Sequence, residues 1–365
     1  MLDKFWDFLV ESAIIFFIPL VCSYMAFNGD LFFNVACEEA TGLELVGNMI
    51  LAPCHYLLQG RSAKKNGEDQ WSFTPRFEYP EENFAVKVAF CAFSAIPSFI
   101  VGSLTKAAAL STPSSRIRHR EMAKALRSTE IHPNAELYRS VGINTEVGGW
   151  QQSEGHKRRP GDEKNLSAEK EALRDIAQLL TEAGITWWVD CGTCLGAYRY
   201  GGVIPWDEDL DVAILLPDFE NVCHALNKLD PMKYLVQNWS SRDIPNSYLK
   251  IFVRKSSTLI DIYHFSIDPA KKEIAYILSL ENSLFFPEWW KVRERRFKVP
   301  VSFDTVFPLK KAVFDGIEVF VPNDSKKYLQ RYYGENLAPA KIYNPSTNRY
   351  EKDLSHPYWQ RAFVH

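Results

Sequence analysis

Ile204-Pro205-Trp206-Asp207-Glu208-Asp209-Leu210-Asp211-Val212-Ala213-Ile214-Leu215-Leu216 is the stretch that decides how this chain is read, because alternate carboxylates run straight into an apolar segment. Side chains of an extended strand alternate between two faces, so Asp207, Asp209 and Asp211 project together if the backbone is extended through the cluster. Carboxylates on one face repel each other, and a hard divalent cation such as Mg2+ or Mn2+ relieves that repulsion by taking their oxygens as ligands. Two plainer readings compete. A run of acids is often a solvated loop. Asp207, Asp209, Asp211 and Asp218 also fall at positions one, three, five and twelve of a calcium loop, but the glycine which that loop needs at position six is replaced here by Val212.

The residues before the cluster favour a phosphate site. Ser167 reads as the N-cap of a helix whose apolar positions Leu173, Ile176, Leu179 and Leu180 recur at helical spacing to about Glu182, and Gly184 ends it. A strand over 185–190 follows, then Gly192-Thr193 leading into a short helix from Cys194 to about Tyr200, then Gly201-Gly202 turning into the acidic strand. Gly192 allows backbone to approach a phosphate, and the Thr193 hydroxyl and the first helical amides can donate to its oxygens. A further carboxylate, Asp261, stands in the strand-like Leu259-Ile260-Asp261-Ile262-Tyr263-His264-Phe265. An acid among apolar residues is costly unless it is metal-bound or paired with an amide or an arginine.

Four blocks carry a resemblance: 188–199 (Trp-Val-Asp-Cys-Gly-Thr-Cys-Leu-Gly-Ala-Tyr-Arg), Ile204 to Asp211, Ile260-Asp261-Ile262-Tyr263, and Tyr328-Leu329-Gln330-Arg331-Tyr332-Tyr333-Gly334. In this order and spacing, over roughly residues 168 to 340, the chain resembles the LicD family, which includes bacterial phosphocholine transferases and fukutin-type transferases on a nucleotidyltransferase fold. The resemblance implies transfer of a phosphorylated alcohol or sugar, phosphocholine-like, from a nucleotide diphosphate donor (CDP-linked) to a glycan or glycolipid hydroxyl. It implies Asp209 and Asp211 as ligands of Mg2+ or Mn2+. Asp207 or Asp261 then accepts the acceptor proton or holds a second metal. Arg199, Lys250 and Arg254 are the basic residues expected to meet the charge of the leaving group. Lys250 resembles a basic position common in the family on this strand. Each of the three also reads as surface charge, and Arg199 as a helix C-terminal cation.

The family's usual G-T-L-L-G run has Cys194 in place of a leucine, creating Cys191-Gly192-Thr193-Cys194. A thioredoxin-type redox site needs a longer helix after such a motif. Cys194 is therefore expected to be a small buried apolar residue. Seven cysteines (Cys22, Cys37, Cys54, Cys91, Cys191, Cys194 and Cys223) form no disulfide framework or zinc set.

The expected fold is α+β: a nucleotidyltransferase-like mixed sheet with flanking helices, preceded by an N-terminal membrane-associated helical region. Residues 1–110 form the hydrophobic anchoring region, 111–165 a Ser/Arg/Gly/Pro-rich linker with a helix from Arg120 to Arg127, and 166–365 the catalytic domain. Uncharged stretches at 12–29, 45–60 and 88–104 approach the ~20 residues of a spanning helix, but contain Pro19, Pro53 and Pro97. No secretory signal is evident. Basic residues follow the second stretch (Arg61, Lys64, Lys65) and the third (Lys106, Arg116, Arg118, Arg120). If the third stretch dips in and returns at Pro97, the catalytic domain faces the cytosol; if it crosses, the domain faces the other side. Towards the C-terminus, Asp315-Gly316 reads as a hairpin turn, and Ser325 to Tyr333 as a helix closed by Gly334. A net charge of −3 leaves no footprint for nucleic acid. A glycosyltransferase with a D-x-D motif and a catalytically inactive membrane scaffold are the alternative functions.

Overall fold

The structure, a computed structural model, describes residues 84–111, 113–240, 244–281, 288–361 and 364, the strands at 61–66 and 70–75, and scattered positions between 43 and 54. The chain divides into two compact units with the first boundary between Ala123 and Lys124. In the first, β1 (Arg61–Asn66) and β2 (Gln70–Pro75) pair antiparallel. Helix α1 (Phe84–Ser111) contains a segment, Ala89–Ala109, long and apolar enough by length and composition to cross a membrane. Phe90, Phe93, Ile96, Ile100 and Leu104 lie exposed along it, Phe93 by 88%. Gly102 packs so closely on the preceding segment that a Cβ there would sit 2.5 Å from Leu51 Cγ.

Helix α1 runs unbroken through Pro97, so the return expected at that proline does not occur. A proline removes one backbone donor, but the long helical runs on either side keep the rest of the ladder. The cytosolic placement drawn from that return loses its support. The stretch 12–29 lies outside the described residues, and 45–60 lies only partly within them.

The second unit begins inside α2 (Pro113–Ser128), which is longer at both ends than the helix expected over Arg120–Arg127. It continues with α3 (Ala135–Ser140) and β3 (Val147–Trp150). The expectation of a linker over 111–165 is therefore corrected. Composition there is polar, but Tyr138 and Ile143 are fully buried core residues, and β3 joins a sheet. Asn134 donates to Asp218 Oδ1 from its amide (3.0 Å) and side chain (2.7 Å), and the Tyr138 hydroxyl donates to Oδ2 at 2.7 Å. Asp218 is thus a buried structural hub and takes no part in a calcium loop.

Helix α4 (Ser167–Glu182) has the expected span, although the residue before its first turn is Leu166 at φ 54°, so Ser167 is the first helical residue and not the cap. After β4 (Trp187–Val189), helix α5 (Cys191–Tyr200) starts three residues before the expected Cys194. Strand β5 (Leu210–Leu215) is shorter than the acidic stretch suggested: Asp207, Glu208 and Asp209 precede it. Pairing explains this boundary, because β5 finds a partner strand only from Leu210 onward.

Helix α6 (Phe219–Leu226), β6 (Tyr234–Asn238), β7 (Tyr248–Val253), β8 (Thr258–Asp268) and β9 (Glu273–Tyr276) follow. Then come α7 (Glu288–Glu294), β10 (Val301–Ser302), α8 (Phe303–Val306), β11 (Leu309–Phe314) and β12 (Ile317–Val321). The last elements are α9 (Ser325–Tyr333), β13 (Lys341–Asn344) and β14 (Arg349–Lys352). Long β8 is the centre of a mixed seven-stranded sheet: β5 runs parallel on one side, while β7 and then β9 run antiparallel on the other. β3, β11 and β12 form a smaller sheet. Trp188, Phe265, Phe307 and Tyr328 fill the core between the large sheet and α9. The register sets Asp211 beside Asp261, and Asp261 beside Lys250, in one row across β5, β8 and β7.

Candidate active site

That row is where the chemistry collects. Asp209, Asp211 and Asp261 each bring a carboxylate oxygen to within 4.8 Å of the others. Asp211 and Asp261 are each only 5% exposed. Burial, and then the charges of Asp209 and Asp261, push the Asp211 carboxyl well above the ordinary carboxylate range. Burial and Asp209 likewise push Asp207 up to about 8. Three hard oxygen donors, crowded and poorly solvated, form a donor set that fits a divalent cation.

Asp261 is oriented by its neighbours. Lys250 Nζ lies 2.6 Å from its Oδ1, and the Tyr248 hydroxyl donates to the same oxygen at 2.6 Å. The Tyr263 hydroxyl reaches Oδ2 at 3.4 Å, and the Tyr248 and Tyr263 rings stack 5.5 Å apart. Two donors on Oδ1 leave Oδ2 as the less engaged oxygen. Asp261 is thus a paired acid, with Lys250 and tyrosine hydroxyls as partners in place of the expected amide or arginine.

Gly192 and Thr193 sit at the same place by a route different from the one expected. Both lie in the first turn of α5, and the Thr193 hydroxyl is turned inward, accepting a hydrogen bond from the Asp211 amide at 2.8 Å. It fixes the backbone of a cluster acid. A Cβ on Gly192 would fall 2.5 Å from Asp207 Oδ2, so the missing side chain is what lets Asp207 lie against the helix start. Asp190, preceding α5, accepts from the Tyr328 hydroxyl at 2.8 Å, and its amide donates to the Asp211 carbonyl at 3.0 Å. Replacing Thr193 with valine leaves the Asp211 amide without its acceptor. The expected loss of stability is about 1–3 kcal/mol, measured by denaturant unfolding of the metal-free protein.

Arg199 and Arg254 are not brought to the cluster. Arg199 is buried, with Nε donating to the Leu337 carbonyl and Nη2 to the Ala338 carbonyl at 2.7 Å, so it ties down the C-terminal segment. Arg254 lies just past the end of β7 and donates to the Pro231 carbonyl at 3.0 Å. Lys250 is at the site, as the partner of Asp261. Glu208 is exposed and Leu210 buried. The cysteines Cys191 and Cys194 are free; burial first, then nearby Asp190, holds both thiols well above their usual range, the opposite of a reactive redox pair.

Sequence reading missed Tyr248, Tyr263 and Glu294. The two tyrosines share the strand alternation of Lys250 and Asp261, and that period-two pattern was the available signal. Glu294 is buried beside Arg293 at 2.6 Å, and the charges of Asp261 and Lys250 act on it. No local pattern marks it.

The raised acids carry a pH consequence. Asp207 titrates near 3.8 when ordinary and near 8 when folded, so the folded metal-free protein binds the extra proton between those values. Stability from that proton is present below about pH 4 and lost as pH rises through about 8. Added Mg2+ is accordingly expected to raise the melting temperature more at about pH 8.5 than at about pH 5.5, measured by thermal unfolding.

Comparison with known proteins places a family on this geometry. The family model described as LicD/FKTN/FKRP, nucleotidyltransferase domain, matches residues 184–324. An uncharacterized protein of Rickettsia prowazekii (strain Madrid E) is 30% identical over 173 residues, 47% of this chain and 56% of that protein. Human ribitol 5-phosphate transferase FKRP is 26% identical over 184 residues, 49% of this chain and 33% of that protein. Mouse ribitol-5-phosphate transferase FKTN is 41% identical over 51 residues, 14% of this chain and 11% of that protein. The chain thus spans about half the length, or less, of these relatives. Residues 184–324, which contain Gly192, Asp207, Asp209, Asp211, Lys250 and Asp261, match the nucleotidyltransferase domain of the LicD/FKTN/FKRP family.

Proposed function

We propose that this chain is a metal-dependent transferase that moves a phosphorylated alcohol or sugar from a nucleotide diphosphate donor, CDP-linked, to a hydroxyl of a glycan or glycolipid. The family match and the ribitol-phosphate transferases among the relatives support a transferase acting on glycans. The observation that carries the reading is the convergence of Asp209, Asp211 and Asp261 within 4.8 Å, with Asp207 set against the start of α5.

In this reading Asp209, Asp211 and Asp261 hold Mg2+ or Mn2+, which when bound supplies Lewis acidity and offsets the charge of the donor phosphates. Lys250 and Tyr248 keep Asp261 in one orientation. Asp207, in its ionised form, takes the proton of the acceptor hydroxyl as the hydroxyl oxygen bonds to the phosphorus bearing the alcohol. The bond from that phosphorus to the bridging oxygen breaks, and CMP leaves with that oxygen. Phosphoryl transfer of this kind depends mainly on positioning and charge neutralisation, which a rigid strand pair supplies. Helix α1 would hold the chain at a membrane.

A screen of nucleotide diphosphate-linked donors with Mg2+ or Mn2+ tests the reaction type. Release of CMP supports the proposal. Release of a nucleoside diphosphate would assign a glycosyltransferase, and no turnover with any donor would favour the inactive scaffold.

A further inference from the structure

Of the three basic residues expected at the phosphates, Arg199 and Arg254 bind backbone carbonyls and Lys250 binds Asp261. The hairpin β13–β14 offers another cation. It follows the segment, 184–324, matched by the family model. Lys341 Nζ stands 6.0 Å from the ring centroids of both Trp206 and Trp359. Trp206 immediately precedes Asp207.

From Trp206 a row of rings leads away from the acids. Tyr350 lies 5.1 Å from Trp206, and Tyr343 lies 5.5 Å from Tyr350. The Arg159 guanidinium covers the Tyr343 ring at 4.6 Å. Three of the rings are tied to the protein at their polar ends: the Tyr350 hydroxyl donates to Asp162 at 2.6 Å, the Tyr343 hydroxyl to Asn348 at 2.7 Å, and Trp359 Nε1 to the Ala340 carbonyl at 2.7 Å. Trp206, Tyr343, Tyr350 and Trp359 are all half-buried, so each keeps part of its surface open to solvent. Rings anchored at their polar ends and bordered by cations suit a ligand with a ring to stack and a phosphate to neutralise.

We infer that the β13–β14 hairpin and Trp206 form a subsite for a phosphate-bearing ring, with Lys341 on the phosphate and Trp206 against the ring. The inference rests on the reading that a phosphorylated donor is handled at the acidic cluster. The same chemistry has two sources, the nucleotide donor and a phosphorylated sugar of the acceptor. Titration calorimetry on the full chain with Mn2+ present separates them, with CDP and ribose 5-phosphate as probes.

Lys341→Gln is expected to weaken one probe by about tenfold or more while leaving Mn2+ binding unchanged. Loss of CDP affinity assigns the subsite to the donor, and loss of ribose 5-phosphate affinity assigns it to the acceptor. Trp206→Leu is expected to weaken the same probe while leaving inorganic pyrophosphate unaffected, since only the ring contact is removed. Equal affinities in the wild-type protein and Lys341→Gln would overturn the subsite and leave the metal reading standing. Failure of the wild-type protein to bind either probe would overturn the phosphorylated-donor reading and the subsite together.

Discussion

Replacing Asp211 with asparagine is expected to lower turnover of a nucleotide donor on the order of 10³-fold, while the metal-free variant melts at the same temperature as the wild-type protein or higher. The two halves of this result have one cause. Asp211 is buried against Asp209 and Asp261, and its charge is held in check only by protonation or by a cation. Asparagine keeps the shape, removes the repulsion and removes the ligand. The exchange of stability for activity is what a strained, charged site predicts. A variant that lost activity through general damage would melt earlier, so turnover and thermal unfolding are measured together.

Gly192→Ala is expected to reduce turnover on the order of 10²-fold with little effect on folding. Alanine is the better helix former, and Gly192 lies in the first turn of α5, so the helix itself does not suffer. The added Cβ would meet Asp207 Oδ2 at 2.5 Å, and that carboxylate must move. A double-mutant cycle identifies the cause: if displacement of Asp207 is the whole effect, Gly192→Ala combined with Asp207→Ala is no worse than Asp207→Ala alone. Additive losses would place the role of Gly192 elsewhere, for example in direct approach of the backbone to a phosphate.

Local signals were legible where the chain terminates its own elements. The helix Ser325–Tyr333 has the expected bounds, because Asp324 accepts from the Lys327 amide at 3.0 Å and Gly334 follows at φ 88°. Asp315-Gly316 turns β11 into β12 as expected, and Asp315 further binds Arg158 (2.6 Å) and the Val203 amide (3.1 Å), bracing the loop before the acids. Signals that depend on a distant partner were not legible. The start of β5 is set by where β8 begins to pair with it, and no residue between Ile204 and Asp209 announces that.

The acids and the basic residues differ in the same way. Asp209, Asp211 and Asp261 stood out because carboxylates beside apolar strands need a reason to be there. A lysine or arginine has no such signature, since its long stem reaches whatever lies near. Arg199 found a carbonyl 138 residues along the chain. Lys341 stands in no motif of the sequence, and only the fold sets it beside Trp206.

Asp209, Asp211 and Asp261 are proposed to form one divalent-cation site. Electron paramagnetic resonance of Mn2+ added to the purified, metal-free protein measures this without any substrate. The expected result is a bound Mn2+ that Mg2+ displaces competitively and that disappears in Asp209→Asn, Asp211→Asn and Asp261→Asn alike. Mn2+ that stays free in the wild-type protein, or that binds the three variants as tightly as the wild-type protein, would contradict it.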